Sequence, residues 1–336
     1  MKNVAIIIPY FGKLPQNMES FLMTCRYNPK IDWFIFTDQQ FNNYPQLKNV
    51  HFIKSTFDNV KSRIQRAVGK KKIVLDSPYK LCDYRPLYGL AFRDILGNYI
   101  YWGYSDLDVV YGDLWHFIQL PIQKRIDKIG IYGHFTLFRN DPKVNSRYKL
   151  DTISSREKVD LFWKAASTAK AEHFDEADGI NQIYKYYDFS TYNNQDLVNE
   201  PYPENMDLIS MDRRYFRLAD AYTWKNGKCY FLYKKDRQIK CKEFGYFHFQ
   251  KRRFNSYLSS TDVSRFYVNS SGYHVIDSET EKDIIMANHH AFFKRFSYLT
   301  DSLFRTPYFT SRHIGKLRLP VMHILIRMFV TKDFFI

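Results

Sequence analysis

The sequence predicts an α/β fold: a mainly parallel, twisted sheet flanked by helices, followed by a helical C-terminal extension. Two observations predict it. Through the first 115 residues, short apolar runs ending in turn residues alternate with stretches of helical periodicity. The 336-residue composition is also that of a packed chain, 45% hydrophobic and 18% aromatic with 27 Tyr and 29 Phe, too apolar for a disordered segment.

Residues 4–8 read as a first core strand stopped by Pro9. The run is too short for the hydrophobic region of a signal peptide, and no small-residue cleavage site follows. A helical segment carrying Phe21, Leu22 and Cys25, closed by Asn28-Pro29, leads to a second strand at 33–36. Residues 50–53 and 72–75 read as further short strands. Between 79 and 96, Leu81, Leu87, Tyr88, Ala91, Ile95 and Leu96 recur at helical spacing, and Gly97-Asn98 stops that helix before a strand beginning at Tyr99. Later strands are expected at 129–132, 135–138 and 228–233, a helical region around 157–186, and an irregular stretch at 193–205. These elements make one domain over residues 1–255, with halves 1–115 and 116–255, and a helical extension over 256–336.

Four cysteines without Cys-x-x-Cys spacing read as reduced cytosolic thiols. No window of 18 uncharged apolar residues occurs, so no span is expected. A formal charge of +15 asks for an anionic partner: nucleic acid, a phosphorylated substrate or anionic lipid. The basic runs lie at 61–72, 234–242 and 251–253 and in the tail. Each reads equally as a solvated face, and that reading is favoured for 61–72.

Residues 98–114 carry the most chemistry. Asp106 and Asp108 follow an aromatic and β-branched run, at the point where a buried strand leaves its sheet. Residues i and i+2 of an extended chain point to one side, roughly 7 Å apart, so one divalent ion can be held between the two side chains. Such a triplet is equally often a solvated turn. No Gly-x-Gly-x-x-Gly follows the first strand and no Gly-x-x-x-x-Gly-Lys-Ser/Thr occurs, which weakens dehydrogenase and P-loop readings.

The order of motifs then adds to the triplet. Asp38 follows the second strand in Phe-Thr-Asp, Lys80, Asp83 and Arg85 open a helix, Asp106-Leu-Asp108 comes next, and His248 ends the apolar run Tyr-Phe-His. Over residues 1–255 this order resembles the GT-A class of nucleotide-sugar glycosyltransferases, in particular bacterial enzymes of capsule and surface-polysaccharide assembly. The resemblance implies a Rossmann-like GT-A fold, with 1–115 the nucleotide-sugar half and 116–255 the acceptor half. It implies a nucleotide-sugar donor, with UDP favoured, bound through Pro9, Tyr10, Thr37, Asp38, Lys80, Asp83 and Asp106. Asp108, Asp106 and His248 would hold Mn²⁺ or Mg²⁺, a donor set of oxygen and imidazole that suits Mn²⁺. Lys251 and Arg252 would neutralise the departing diphosphate. Asp175 or Glu176 would supply a base for an inverting reaction, and both also read as an acidic helix end. Retention is slightly favoured over inversion. His134 is placed against the acceptor, a glycan that is either free or lipid-linked.

In the tail, Val321, Ile324, Leu325, Met328 and Phe329 face away from His323 and Arg327, the pattern of an interfacial helix. A lipid-linked acceptor would then put the protein on the inner, cytoplasmic face of the membrane, against anionic lipid. The same face equally suits docking on the core or on a second copy. Two rivals stand beside the transferase reading: a basic nucleic-acid-binding protein, disfavoured because the basic runs are scattered and no recognised nucleic-acid module occurs, and a membrane-surface scaffold built around the tail.

Overall fold

In the computed structural model, residues 2–154, 157–201, 208, 210–212, 214, 221–250, 254, 258, 260, 262–269 and 271–286 are described. They fall within one compact unit, Met1–Asn288.

The first strand sets the frame. β1 (Lys2–Pro9) sends Val4, Ile6 and Ile8 into one core, where they meet Phe21, Leu22 and Cys25 of α1 (Met18–Arg26). Ala5 and Ile7 enter another, against Val60 and Ile64 of α2 (Phe57–Val68). Both faces are covered, which is why the strand reads as a continuous apolar run rather than an alternating one. β1 pairs in parallel with β2 (Ile31–Thr37), which pairs in parallel with β3 (Val50–Lys54). On its other side it pairs in parallel with β4 (Tyr99–Ser105). Chain order therefore runs outward from β1 in two directions, a topological switch point at the β1/β4 boundary. In open α/β sheets ligands bind at such a point, beyond the carboxyl ends of the strands.

Past β4 lie β5 (Val109–Tyr111), α3 and α4 having preceded it as single turns at Tyr88–Ala91 and Arg93–Leu96, and then α5 (Leu114–Gln123). β6 (Lys128–Tyr132) and β7 (Phe135–Arg139) follow, with β7 antiparallel to both β4 and β6. After α6 (Pro142–Asn145) comes a small hairpin, β8 (Thr152–Ser154) with β9 (Glu157–Val159), then α7 (Leu161–Ala166) and α8 (Ile180–Tyr186). β10 (Thr191–Tyr192) completes a seven-stranded sheet of order β10-β6-β7-β4-β1-β2-β3. The architecture is mixed α/β with a mostly parallel central sheet flanked by helices.

β11 (Val198–Asn199) opens the remainder. β12 (Ala221–Lys225), β13 (Lys228–Lys235) and β14 (Gln238–Phe244) form an antiparallel meander, joined by β16 (Arg265–Asn269) and β17 (Gly272–Val275). Between them lies β15 (Tyr246–His248), which belongs to a separate three-stranded sheet of order β11-β15-β5. Trp224 ties the two sheets, donating its indole N–H to the Tyr111 carbonyl at 2.9 Å and stacking on Phe266.

Several expectations are corrected. Residues 72–75 form no strand, although Val74 N–H donates to the Ala166 carbonyl. The helix expected over 79–96 is a 3₁₀ helix, Pro78–Leu87, followed by α3 and α4; Pro86 lacks the N–H a continuous α-helix needs. The helical region expected at 157–186 holds the second strand of a hairpin and two short helices. Residues 265–275, expected inside a helical extension, are strands of the meander, so the sheet crosses the expected boundary at 255. Residues 281–286 are helical, and the tail pattern at 321–330 lies outside the described residues. Among the described residues no helix is long and apolar enough to cross a membrane.

One buried ion pair fixes the wall beside β4. Lys80 Nζ bonds Asp83 Oδ2 at 2.6 Å with both side chains essentially inaccessible, and Lys80 also donates to the Ala165 and Lys170 carbonyls. Asp83 in turn accepts from the Glu172 and Phe174 amides. Asp83→Ala would strand a buried ammonium, so urea denaturation should show a loss of about 3–5 kcal/mol.

Candidate active site

Three strand ends of the small sheet deliver three side chains to one place. β15 pairs antiparallel with β5, setting His248 opposite Val109, and parallel with β11, setting Phe247 opposite Asn199. His248 ends β15, Asp108 precedes β5, and Glu200 follows β11. All three residues therefore emerge at the same edge. The Phe249 N–H donates to the Asp108 carbonyl at 2.9 Å and Asn17 donates to the Leu107 carbonyl, so the Asp106-Leu-Asp108 turn is held at its backbone. A methyl on Gly112 would lie 2.8 Å from the Cys229 nitrogen and the Phe244 carbonyl oxygen; only glycine lets β5 close onto the meander here.

His248 Nε2 lies 3.4 Å from Asp108 Oδ1, and Nδ1 lies 2.9 Å from Glu200 Oε2. Nδ1–H donation to Glu200 leaves Nε2 facing the two aspartates. Burial opposes a charge on this ring, yet Asp108 and Glu200, helped by Asp106, push its pKa up to about 10. Its neighbour behaves oppositely. His134 stacks on His248 with ring centroids 3.9 Å apart, and burial together with the His248 charge holds it well below the ordinary histidine range. His134 Nδ1 meets the Tyr246 hydroxyl at 3.0 Å, and its Nε2 is 3.6 Å from Glu200.

Potential ligand atoms of Asp106, Asp108 and His248 lie within 4.8 Å of one another. Two partly exposed carboxylates and an imidazole with its outer nitrogen already committed fit a hard or borderline divalent ion such as Mn²⁺. His134, Glu200 and His248 also gather, but the two rings lie only 27° from parallel, so their in-plane lone pairs cannot converge on one ion. Cys82, His173 and Asp175 form a third group. Burial and the nearby Asp175 and Asp83 push the Cys82 thiol up to about 12, keeping it protonated and a poor ligand.

The other wall of the cleft is built around Arg85. It bonds Asp106 Oδ1, Asp175 Oδ2 at 2.9 Å and the Gly133 carbonyl at 2.6 Å, and lies over the Tyr104 ring. A methyl on Gly133 would fall 2.7 Å from Glu176 Oε1 and 2.9 Å from Asp175 Oδ2, so the bare backbone lets both carboxylates close in. Burial pushes the Asp175 carboxyl up to about 7, against the pull of Arg85 and with help from Glu176 and Asp106. The whole cleft, about 1420 Å³, opens beyond the ends of β1 and β4.

Of the residues singled out in the sequence, Pro9, Tyr10, Asp106, Asp108, His134, Asp175, Glu176 and His248 line this cleft. His134 stacks on His248 and lies beside Glu200. Thr37 is buried, and Asp38 accepts the Gly12 N–H, bracing the loop after β1 from outside the cleft lining. Lys80 and Asp83 are not brought to the cleft either; Arg85 is. The 3₁₀ helix explains the exchange. At three residues per turn, Tyr79, Cys82, Arg85 and Tyr88 share the cleft face while Lys80, Asp83 and Pro86 share the buried one. Lys251 and Arg252 lie outside the described residues. Glu200 was missed by sequence reasoning, because it follows a two-residue strand in a stretch without periodicity.

Replacing Glu200 by Gln should weaken Mn²⁺ binding about 10-fold in a calorimetric titration, since His248 exchanges the charged acceptor that orients it for a neutral amide. Asp175 gives a pH signature. Its folded pKa is raised above the unfolded one, so its contribution to stability is complete below about pH 4 and is lost as pH rises through about 7. Thermal melts of Asp175→Asn should lack this component, on the order of 4 kcal/mol for a three-unit shift.

No curated protein matches the chain. Residues 6–277 match DUF6625, a family of unknown function, and the chain belongs to that family.

Proposed function

We propose that the protein is a metal-dependent glycosyltransferase of the GT-A type, moving a sugar from a nucleotide donor, with UDP favoured, to a glycan acceptor in bacterial surface-polysaccharide synthesis. The observation that carries the reading is the convergence of Asp106, Asp108 and His248 at the mouth of a cleft lying at the β1/β4 switch point. The mostly parallel central sheet flanked by helices is compatible with a Rossmann-like frame for such a site.

A divalent ion, Mn²⁺ or Mg²⁺, held by Asp106, Asp108 and His248 would supply Lewis-acid stabilisation of the leaving diphosphate. The chain's own residues do the rest. Tyr10 and Phe11, at the end of β1, offer aromatic faces to a base. Lys13 adds a cation on the same side. Arg85, fixed between Asp106 and Asp175, presents its guanidinium where a sugar joined to the diphosphate would lie. Glu200 and the stacked His134 restrain His248 from turning. The amphipathic tail and the charge of +15 support a lipid-linked acceptor, with the protein peripheral on the inner, cytoplasmic membrane face.

Asp108→Ala and His248→Ala should each reduce Mn²⁺-dependent UDP binding at least about 100-fold by calorimetry, while circular dichroism and the urea midpoint stay near those of the parent. Normal UDP–Mn²⁺ binding by both variants would refute the metal centre.

A further inference from the structure

We infer that the sugar end of the cleft selects a donor whose sugar is uncharged, a neutral hexose or N-acetylhexosamine, and rejects uronates and other carboxylated or phosphorylated sugars. The inference rests on the transferase reading and deepens it. If the base stacks on the β1 side, against Tyr10 and Phe11, the sugar falls on the opposite wall, lined by Arg85, Gly133, Asp175, Glu176 and Asn181. That wall is polar and crowded with backbone, as hydroxyl recognition requires.

Its charge decides the class. Apart from Asp106, which belongs to the metal set, two carboxylates, Asp175 and Glu176, stand on this wall beside one guanidinium, and Arg85 is already shared between Asp106 and Asp175 with a further bond to the Gly133 carbonyl. The chain carries an excess of 15 positive charges overall, yet the one cation among the described residues of this wall, Arg85, is already engaged. A carboxylated sugar arriving there would find no uncommitted cation among the described residues of the wall, and would have Glu176 beside it.

A second observation points to a hydroxyl. The Asp175 side chain is 1% exposed, and its Oδ2 is held by Arg85. Among the described residues its other oxygen, Oδ1, has no hydrogen-bond partner. A buried carboxyl oxygen left without a partner is costly, and a ligand hydroxyl, able both to donate and to accept, satisfies it in either protonation state. A carboxylate, which can only accept, does not.

The test is calorimetry on the full chain with Mn²⁺, using UDP, UDP-glucose and UDP-glucuronate, and GDP, GDP-mannose and GDP-mannuronate. For whichever nucleotide binds, the neutral donor should bind roughly 50-fold more tightly than its uronate, the effect of one like charge about 7 Å away at an effective dielectric constant of about 20. Glu176→Gln should narrow that ratio several-fold. A uronate that binds as tightly as the neutral donor overturns this inference alone, as does a ratio that Glu176→Gln leaves unchanged. Failure of both nucleotides to bind with Mn²⁺ overturns the transferase reading, and this inference with it.

Discussion

The short antiparallel ladder between β5 and β15 is the constraint on which the rest depends. It joins positions 135 to 139 residues apart in sequence and fixes which of them meet, setting His248 opposite Val109 and therefore beside Asp108. Strand side chains alternate with a period of two, so a one-residue slip would turn His248 to the opposite face. Backbone bonds from Gly112 to Gly245 and from Phe249 to Asp108 close the ladder at its two ends. The meander packed behind it, with Trp224 bonded to the Tyr111 carbonyl, holds that register against the core.

Around this ladder the chain separates its charges by role. Lys80 and Asp83 are sealed in the wall, where they organise the 165–174 segment away from the cleft lining. Arg85, two residues on, is only partly buried and faces the cleft. His248 and His134 lie in van der Waals contact, and two cations stacked at that distance in a buried site would repel strongly; the carboxylates of Asp108 and Glu200 settle the charge on His248. The cleft thus combines two imidazoles, a guanidinium and several carboxylates whose positions depend on one another more than on the surface charge of the protein.

Much of the central sheet was legible because burial on both faces leaves a strong signal. Val4 to Ile8 and Trp33 to Phe36 are unbroken apolar runs, and the aspartates after β4 could be located from the aromatic strand that precedes them. What escaped was set by contacts remote in sequence. Glu200 acquires its role only through the pairing of β11 with β15, which no local pattern reports. Asp83 and Arg85 lie two residues apart in one motif, and only the tighter helix that begins at Pro78 and carries Pro86 sends them to different faces. Strands β16 and β17 did have a local signature, aromatic and β-branched residues flanking Ser-Ser-Gly, that the expectation of helix overrode.

The 3₁₀ segment Pro78–Leu87 has a consequence for how its length can change. With a repeat of three, any shift that is not a whole turn moves a residue to a different face. Counted from the buried Lys80–Asp83 pair, deleting Tyr84 would move Arg85 into the phase now shared by Leu81, Tyr84 and Leu87, taking the guanidinium off the cleft face while Asp83 keeps its place. Whole-turn insertions or deletions of three residues keep the faces in phase. Length in this segment is therefore quantised, in a stretch of chain whose apolar spacing reads as an ordinary helix.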